Sequence, residues 1–170
     1  ENYPQALKNY LKNGENLGFA GGSNVGIIHA FKKGCDAVVL VNPDTIAPPL
    51  FLSALVNGAM SDDRIGAAQA LILLHPEKHL INSAGNALHY LGFGYTKGYR
   101  RPLGDYLTEV KEEVFDTAYP SGAAVLLKRK ALEDVGVFDE RLFLYHEDLD
   151  LGWRMHLRKW RVVVVPGAQI

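Results

Sequence analysis

Three carboxylates and a histidine crowd into five consecutive residues, His146-Glu147-Asp148-Leu149-Asp150. Acids packed that closely repel one another, a cost that acid–base or metal chemistry justifies. A plainer reading explains an acid or two: carboxylates in the first turn of a helix favour its dipole by about 0.3–1 kcal/mol each. On a helix, Glu147, Asp150, Arg154 and Arg158 follow one face, where Asp150 and Arg154 can pair. Asp148 lies toward the side of Leu151 and Met155 and is the carboxylate least explained by surface pairing.

A second acid stands in Asn42-Pro43-Asp44-Thr45, directly after the apolar run Ala37 to Val41. A carboxylate at a strand's carboxyl end is a hard oxygen donor, suited to Mg²⁺ or Mn²⁺ bridging phosphate oxygens. Taken alone the tetrapeptide reads first as a turn, since Asn, Pro and Asp are ordinary turn residues. A third candidate is the glycine-rich stretch Asn16 to Gly26 (NLGFAGGSNVG), which holds Gly21, Gly22 and Asn24. Glycines let a backbone approach a ligand, and a helix start attracts phosphate. The stretch fits neither the dinucleotide fingerprint nor the phosphate loop, where Ile27 replaces the lysine. A tight packing loop explains it equally well. The fourth, Pro120-Ser121-Gly122-Ala123-Ala124, keeps space open with small residues and is as readily a plain turn.

These residues need a frame. Ala37 to Val41 reads as a strand buried on both faces; Ile65 to Leu74 reads as another strand, Val114 to Ala118 and Ala123 to Leu127 are strand-like, and Arg161 to Val165 reads as a last strand. Helices are expected over Pro4 to Leu11, after Gly26, from Pro48-Pro49 to about Met60, over Lys128 to Val135, and over Glu147 to Trp160. In the last of these, Leu149, Trp153 and Leu157 fall four apart, and Trp153 is read as core. Alternating strands and helices imply an α/β domain with a mainly parallel sheet. His75 to Lys111, rich in Gly, Tyr and Asn, reads as an irregular insertion of loops and short strands near a site.

At 170 residues, 48% of them apolar and 22% charged, the chain suits one domain and excludes a disordered one. The net charge is −1, and no basic stripe for nucleic acid stands out. Apolar runs of at most five residues span no membrane, and no export signal opens the chain. The single Cys35 forms no internal disulfide, which favours a reducing compartment. A chain that begins at Glu1 without Met and stops just after a strand-like run is expected to be an excerpt of a longer protein.

Together and in this order, Asn16 to Ile27, Leu40 to Thr45, Ser121 to Val137 and Phe138 to Arg154 resemble the family 2 glycosyltransferases of the GT-A fold, in the rhamnosyltransferase-like branch. The resemblance runs from about residue 13 to the end. It implies a Rossmann-like, three-layer α/β fold, a single domain over 1–170 that lacks the family's first strand and is incomplete at both ends. It implies inverting transfer of a sugar, rhamnosyl or similar, from a nucleotide-diphosphate donor (dTDP- or UDP-linked) to a saccharide or lipid-linked acceptor in cell-surface polysaccharide synthesis. The setting would be the cytoplasm, at the inner face of the membrane. By position, Asp148 matches the general base, with Glu147 its neighbour. Asn42 and Asp44 match the Asp-x-Asp motif, Asp44 holding Mn²⁺ or Mg²⁺ and Asn42 standing where the first acid is expected. Gly21, Gly22 and Asn24 match the donor-nucleotide segment, and Ser121, Gly122 and Ala123 the sugar and acceptor pocket. Two other readings stand beside it: a non-catalytic module on the same fold, and, ranked last, a sugar nucleotidyltransferase.

Overall fold

The computed structural model describes residues 10–170. The helix expected over Pro4 to Leu11 lies outside the described residues except for Tyr10 and Leu11, which are irregular. The elements in order are α1 (Gly18–Lys32), β1 (Ala37–Val41), α2 (Phe51–Met60), β2 (Ile65–Leu73), β3 (Ile81–Ser83), β4 (Asn86–Leu88) and β5 (Gly94–Thr96). Then come α3 (Leu103–Glu109), β6 (Phe115–Asp116), β7 (Ala124–Lys128), α4 (Arg129–Val135), α5 (Glu147–Leu157) and β8 (Arg161–Gln169). No helix among the described residues is long and apolar enough to cross a membrane.

The central sheet has the order β1-β7-β2-β8-β6, with β3 added to β2. Strands β1, β2 and β8 run in one direction, as helix-linked strands should, and β2 pairs with β8 in parallel. The sheet is nevertheless mixed. Strand β7 enters antiparallel between β1 and β2, and β6 closes the far edge antiparallel to β8. An antiparallel strand therefore begins where parallel strands end, so the start of β7 meets the carboxyl end of β1.

Residues alternating along each strand feed two cores. Val125 and Leu127 join Ala20, Ile27, Leu132, Leu151 and Met155 beneath α1, α4 and α5. Ala124 and Leu126 join Phe51, Leu55, Ala59, Val163 and Val165 beneath α2. The result is three layers. Each fully buried Leu or Ile contributes about 1.5–3 kcal/mol. Residues 75–111 hold β3, the β4–β5 hairpin and α3, packed in part on a third cluster of Leu71, Ile81, Ala84 and Tyr106. Helix α3 has too few apolar residues for its period to be read from sequence.

Three local expectations are corrected. The glycine-rich stretch is not a loop leading to a helix but the first turns of α1 itself, which starts at Gly18. Packing of Ala20, Gly21, Asn24 and Ile27 overrides the low helix propensity of glycine. In α5 the buried face is Glu147, Leu151, Gly152 and Met155, whereas Trp153 is 55% and Leu157 68% exposed. Arg154 causes part of this rotation, since its guanidinium donates to the carbonyls of Val135, Gly136 and Val137 and holds that side of the helix at α4. Strand β8 does not stop at Pro166-Gly167. It continues to Gln169 through a shift in register against β2 between Ala70 and Leu71.

Candidate functional site

The Asn42–Thr45 turn leaves the carboxyl end of β1, and its first residue is fixed to β7: Asn42 N–H donates to the Ala123 carbonyl (2.9 Å). Thr45 closes the turn on the Asn42 carbonyl through its N–H (3.2 Å) and its hydroxyl (2.7 Å). Asp44 is exposed at the apex, and Asn42 is half-buried beside it. Among the described residues no three His, Cys, Asp or Glu side chains form a metal-binding group. The donor set on the turn is one carboxylate and one amide oxygen. That fits Mg²⁺ or Mn²⁺ held jointly with substrate phosphates, since such ions use one or two carboxylates rather than an all-protein cage.

One residue before Ala123, the Gly122 backbone N–H faces the Asp148 carboxylate and pulls its pKa down. Leu149 N–H donates to Asp148 Oδ1 (2.8 Å). Asp148 is half-buried, and burial pushes its pKa above the usual aspartate value, against the pull of these two N–H groups. Ser121, Gly122 and Ala123 thus form a short bridge between the Asp148 carboxylate, which faces the Gly122 N–H, and Asn42, which is bonded to Ala123. A side chain at Gly122 would place its Cβ 2.7 Å from the Phe19 ring, so this close approach requires glycine. Phe19 belongs to the first turn of α1, which brings the glycine-rich segment to the same place.

The segment before α5 completes the cluster. Phe143, Tyr145 and His146 all have positive φ, at 53°, 72° and 69°. Such conformations cost about 1–3 kcal/mol each and persist only where the surroundings impose them. Here the Phe143 carbonyl accepts from Ala20 N–H at the start of α1 (3.2 Å). A Cβ at Gly18, whose φ is +67°, would lie 2.3 Å from that carbonyl oxygen. Gly21 sits one turn into α1 and packs on Leu17, whereas Gly22 borders open space. Asn24 is buried at 1% exposure, and its amide is fully engaged. It donates to the Phe138 carbonyl (2.9 Å) and Glu140 Oε1 (3.0 Å), and accepts from Phe138 N–H (3.0 Å). It therefore ties α1 to the chain leading into the 143–146 loop. The Asp150–Arg154 pair expected from spacing forms at 2.7 Å.

Glu147 is not on the solvated face. It is 6% exposed, and its Oε2 has no hydrogen-bond partner. Burial pushes its pKa above the ordinary 4.5, so the fold binds its proton more readily than the unfolded chain does. Ionisation therefore destabilises the native state; the penalty is complete above the raised value and absent below the unfolded one. Glu147→Gln is expected to raise stability at pH 7 by about 1 kcal/mol. Denaturant midpoints across pH check this: the gain should shrink as pH falls toward 4.5, and an unchanged or lower midpoint at pH 7 counts against it.

Sequence reasoning missed what supports the bridge. Gln69, in the middle of β2 and 0% exposed, accepts from Ser121 N–H (2.8 Å) and Asn86 Nδ2 (3.3 Å) through Oε1. Its Nε2 donates to Ser83 Oγ (3.0 Å). Asn86 donates also to the Tyr119 carbonyl (3.1 Å), and its backbone pairs twice with the Thr117 hydroxyl. Burial, then the Asp148 charge, pushes the Tyr119 phenol up. A lone polar residue inside the apolar run Ile65–Leu73 was the available signal, because buried polar groups are hydrogen-bonded. Beside the site, a cavity of about 630 Å³ opens between the Asp44–Pro49 turn and the ends of β2 and β8, with Asp44, Leu73, His75 and Ile170 in its wall. Asp148 does not line it.

Comparison with known proteins bears on this arrangement. A family model described as "Glycosyltransferase like family 2" matches residues 1–170. An N-acetylglucosaminyl-diphospho-decaprenol L-rhamnosyltransferase of Mycobacterium tuberculosis is 31% identical over 175 aligned residues, covering 94% of this chain and 57% of its own length. The chain thus spans little more than half of that relative. The O-antigen biosynthesis protein RfbC of Myxococcus xanthus is 31% identical over 133 residues, 77% of this chain and 10% of its own. Among solved structures, GalNAc-T7 with UDP, GalNAc and Mn²⁺ superposes with a TM-score of 0.68 over 94% of this chain and 31% of its own, at 14% identity. That likeness shows the fold, a GT-A glycosyltransferase arrangement.

Proposed function

The chain belongs to the family 2 glycosyltransferases, and on that premise we propose that it carries the sugar-transfer centre of an inverting enzyme of cell-surface polysaccharide synthesis. The donor is a nucleotide-diphosphate sugar, rhamnosyl or similar, on dTDP or UDP. The acceptor is a saccharide or a lipid-linked saccharide, as in the name of the mycobacterial relative. The setting is cytoplasmic, at the inner face of the membrane. The supporting observation is the Ser121–Ala123 segment, whose Ala123 carbonyl accepts from Asn42 N–H and whose Gly122 N–H faces the Asp148 carboxylate.

In this reading Asp148 accepts the proton of the acceptor hydroxyl as that oxygen attacks the anomeric carbon from the face opposite the leaving diphosphate. Its raised pKa suits a base, since a carboxylate that holds its proton more tightly is a better acceptor. The Leu149 N–H aims it, and this N–H and that of Gly122 favour its ionised form. Asp44 and the Asn42 side chain would hold a divalent cation, which would supply charge neutralisation for the departing diphosphate. Gly22 leaves the donor side of α1 open, and Gly21 and Asn24 shape that wall from within. Ser121, Gly122 and Ala123 line the sugar pocket. Glu147, buried behind Asp148, adds a negative charge that raises its neighbour's proton affinity when ionised.

The direct test is a panel of nucleotide sugars in a thermal-shift assay with Mn²⁺, because a ligand that favours the native state raises its melting temperature. A rise with one sugar nucleotide and none with nucleoside triphosphates supports the reading; the reverse favours nucleotidyl transfer. Asp44→Ala is expected to weaken Mn²⁺-dependent binding of UDP or dTDP by about tenfold or more, as loss of an ordering carboxylate does elsewhere. Calorimetry showing the same affinity with Mn²⁺ in both proteins removes Asp44 from the metal role.

A further inference from the structure

The β4–β5 hairpin ends in a loop that should be polar and is not. His89 N–H donates to the Phe93 carbonyl and Gly92 N–H to the His89 carbonyl, both at 2.8 Å, so the loop is an ordered turn. From it Tyr90 (88% exposed), Leu91 (62%) and Phe93 (67%) project into solvent, followed by Tyr95 and Tyr99, both more than half exposed. A two-stranded hairpin alone is marginal in water, yet this one has a firm base. Lys97 N–H pairs with the Gly85 carbonyl, Ala84 N–H with the Lys97 carbonyl, and Arg100 N–H with the Ile81 carbonyl, while Asn86 is locked to Thr117 and Tyr119. The apolar side chains are therefore held outward rather than left loose.

The surface extends beyond the hairpin. A Cβ at Gly94 would meet the Tyr119 hydroxyl at 2.4 Å and Leu149 Cδ1 at 3.2 Å, so the hairpin leans on α5 one turn before Trp153. The exposed stripe of α5, Trp153 and Leu157, continues from that contact. Clustered exposed apolar side chains of this kind mark an interaction surface. Its charge selects the partner. No Asp or Glu occurs between Glu77 and Asp105, whereas Lys78, Lys97, Arg100 and Arg101 lie in that span. Arg101 is paired with Glu109, but Arg100 is exposed, with φ +59°, at the foot of the hairpin.

The geometry points to this face as a membrane-docking surface: the 89–95 tip, with Trp153 beside it, inserts into the headgroup region of an anionic bilayer while the exposed Arg100 meets the lipid phosphates, Lys97 being held over the Phe115 ring. Tyr and Trp carry an apolar body and a polar end and favour that interface, and each cation near an anionic surface adds attraction that salt removes. The inference rests on the membrane-side setting proposed above but draws on none of the residues assigned to sugar transfer, so loss of vesicle binding and loss of donor binding are distinguishable.

Vesicle flotation tests it without sugar nucleotides. The chain is mixed with phosphatidylcholine vesicles, or with vesicles containing phosphatidylglycerol, at low and moderate salt. Expected is partition onto the anionic vesicles that weakens with salt, together with a blue shift of tryptophan emission that is lost in Trp153→Phe. The double variant Tyr90→Ser/Phe93→Ser should bind about tenfold more weakly, and Arg100→Glu about fivefold. All these positions are exposed, so circular dichroism melts should show each variant folded. Absence of binding to anionic vesicles overturns the inference. So does equal binding by the double variant, or binding to neutral and anionic vesicles alike with no effect of Arg100→Glu.

Discussion

Asp148→Asn should reduce sugar transfer by about 10²–10⁴-fold, the contribution of a positioned base, while nucleotide-diphosphate affinity with Mn²⁺ stays unchanged. Asparagine keeps the shape and an acceptor oxygen for the Leu149 N–H, and the Asn42–Ala123 bond does not involve it, so the bridge should survive. What is lost is the site for the proton. The pH dependence separates this from a packing effect. A base works ionised, so turnover by the parent enzyme should fall as pH drops through the Asp148 value, which lies above the ordinary 3.8. The variant's residual rate should lack that limb. The experiment belongs in a form of the protein with demonstrable transfer activity. Retention of most turnover by the asparagine variant, or an unchanged acid limb, would refute the assignment.

Gln69→Leu should cost about 2–4 kcal/mol of folding stability although it keeps the side chain's approximate volume. The Ser121 N–H loses its acceptor inside the protein, and Asn86 and Ser83 each lose one partner. Each buried polar group stranded in this way costs about 1–3 kcal/mol, and total stability is commonly about 5–15 kcal/mol. Denaturant unfolding measures the loss directly. The change should also release the 121–122 segment and with it the N–H that faces Asp148. A loss below about 0.5 kcal/mol, the range of an unremarkable surface change, would show that water or a shifted neighbour replaces the amide.

Much of this frame was legible in the chain itself. The run Ile65–Leu73 is the interior strand its composition requires, whereas Ala37–Val41, expected to be buried on both faces, is a half-buried edge strand, because β7 covers one side of it only; residues after its carboxyl end fall where open α/β sheets collect ligands. Asp148 lies on the side of α5 that carries Leu151 and Met155, both 0% exposed, as its spacing from them required. The failures share a cause: they depend on neighbours distant in sequence. Four glycines between residues 18 and 26 argue for a loop until the Phe143 carbonyl and the 138–140 segment are placed against them. Leu149, Trp153 and Leu157 have a core-like period, yet Trp153 and Leu157 face outward, on a helix whose Arg154 is anchored to the carbonyls of Val135 and Val137. The reversed direction of β7 leaves no mark on its composition, because an interior strand reads the same either way. Glu147 has the residue type of a surface acid and the position of a buried one.

That reversed strand also determines when the cleft can come into existence. Val41 lies opposite Ala124, so the edge shared by the metal-side turn and the base-bearing bridge joins parts of the chain synthesised far apart. Such non-local pairings are slow to form, because loop-closure entropy is lost before any contact compensates it. A nascent chain with β1, β2 and their helices already assembled would still have a gap in the sheet at the place of chemistry. On the proposed assignment, the two halves of the site meet only when β7 pairs with β1.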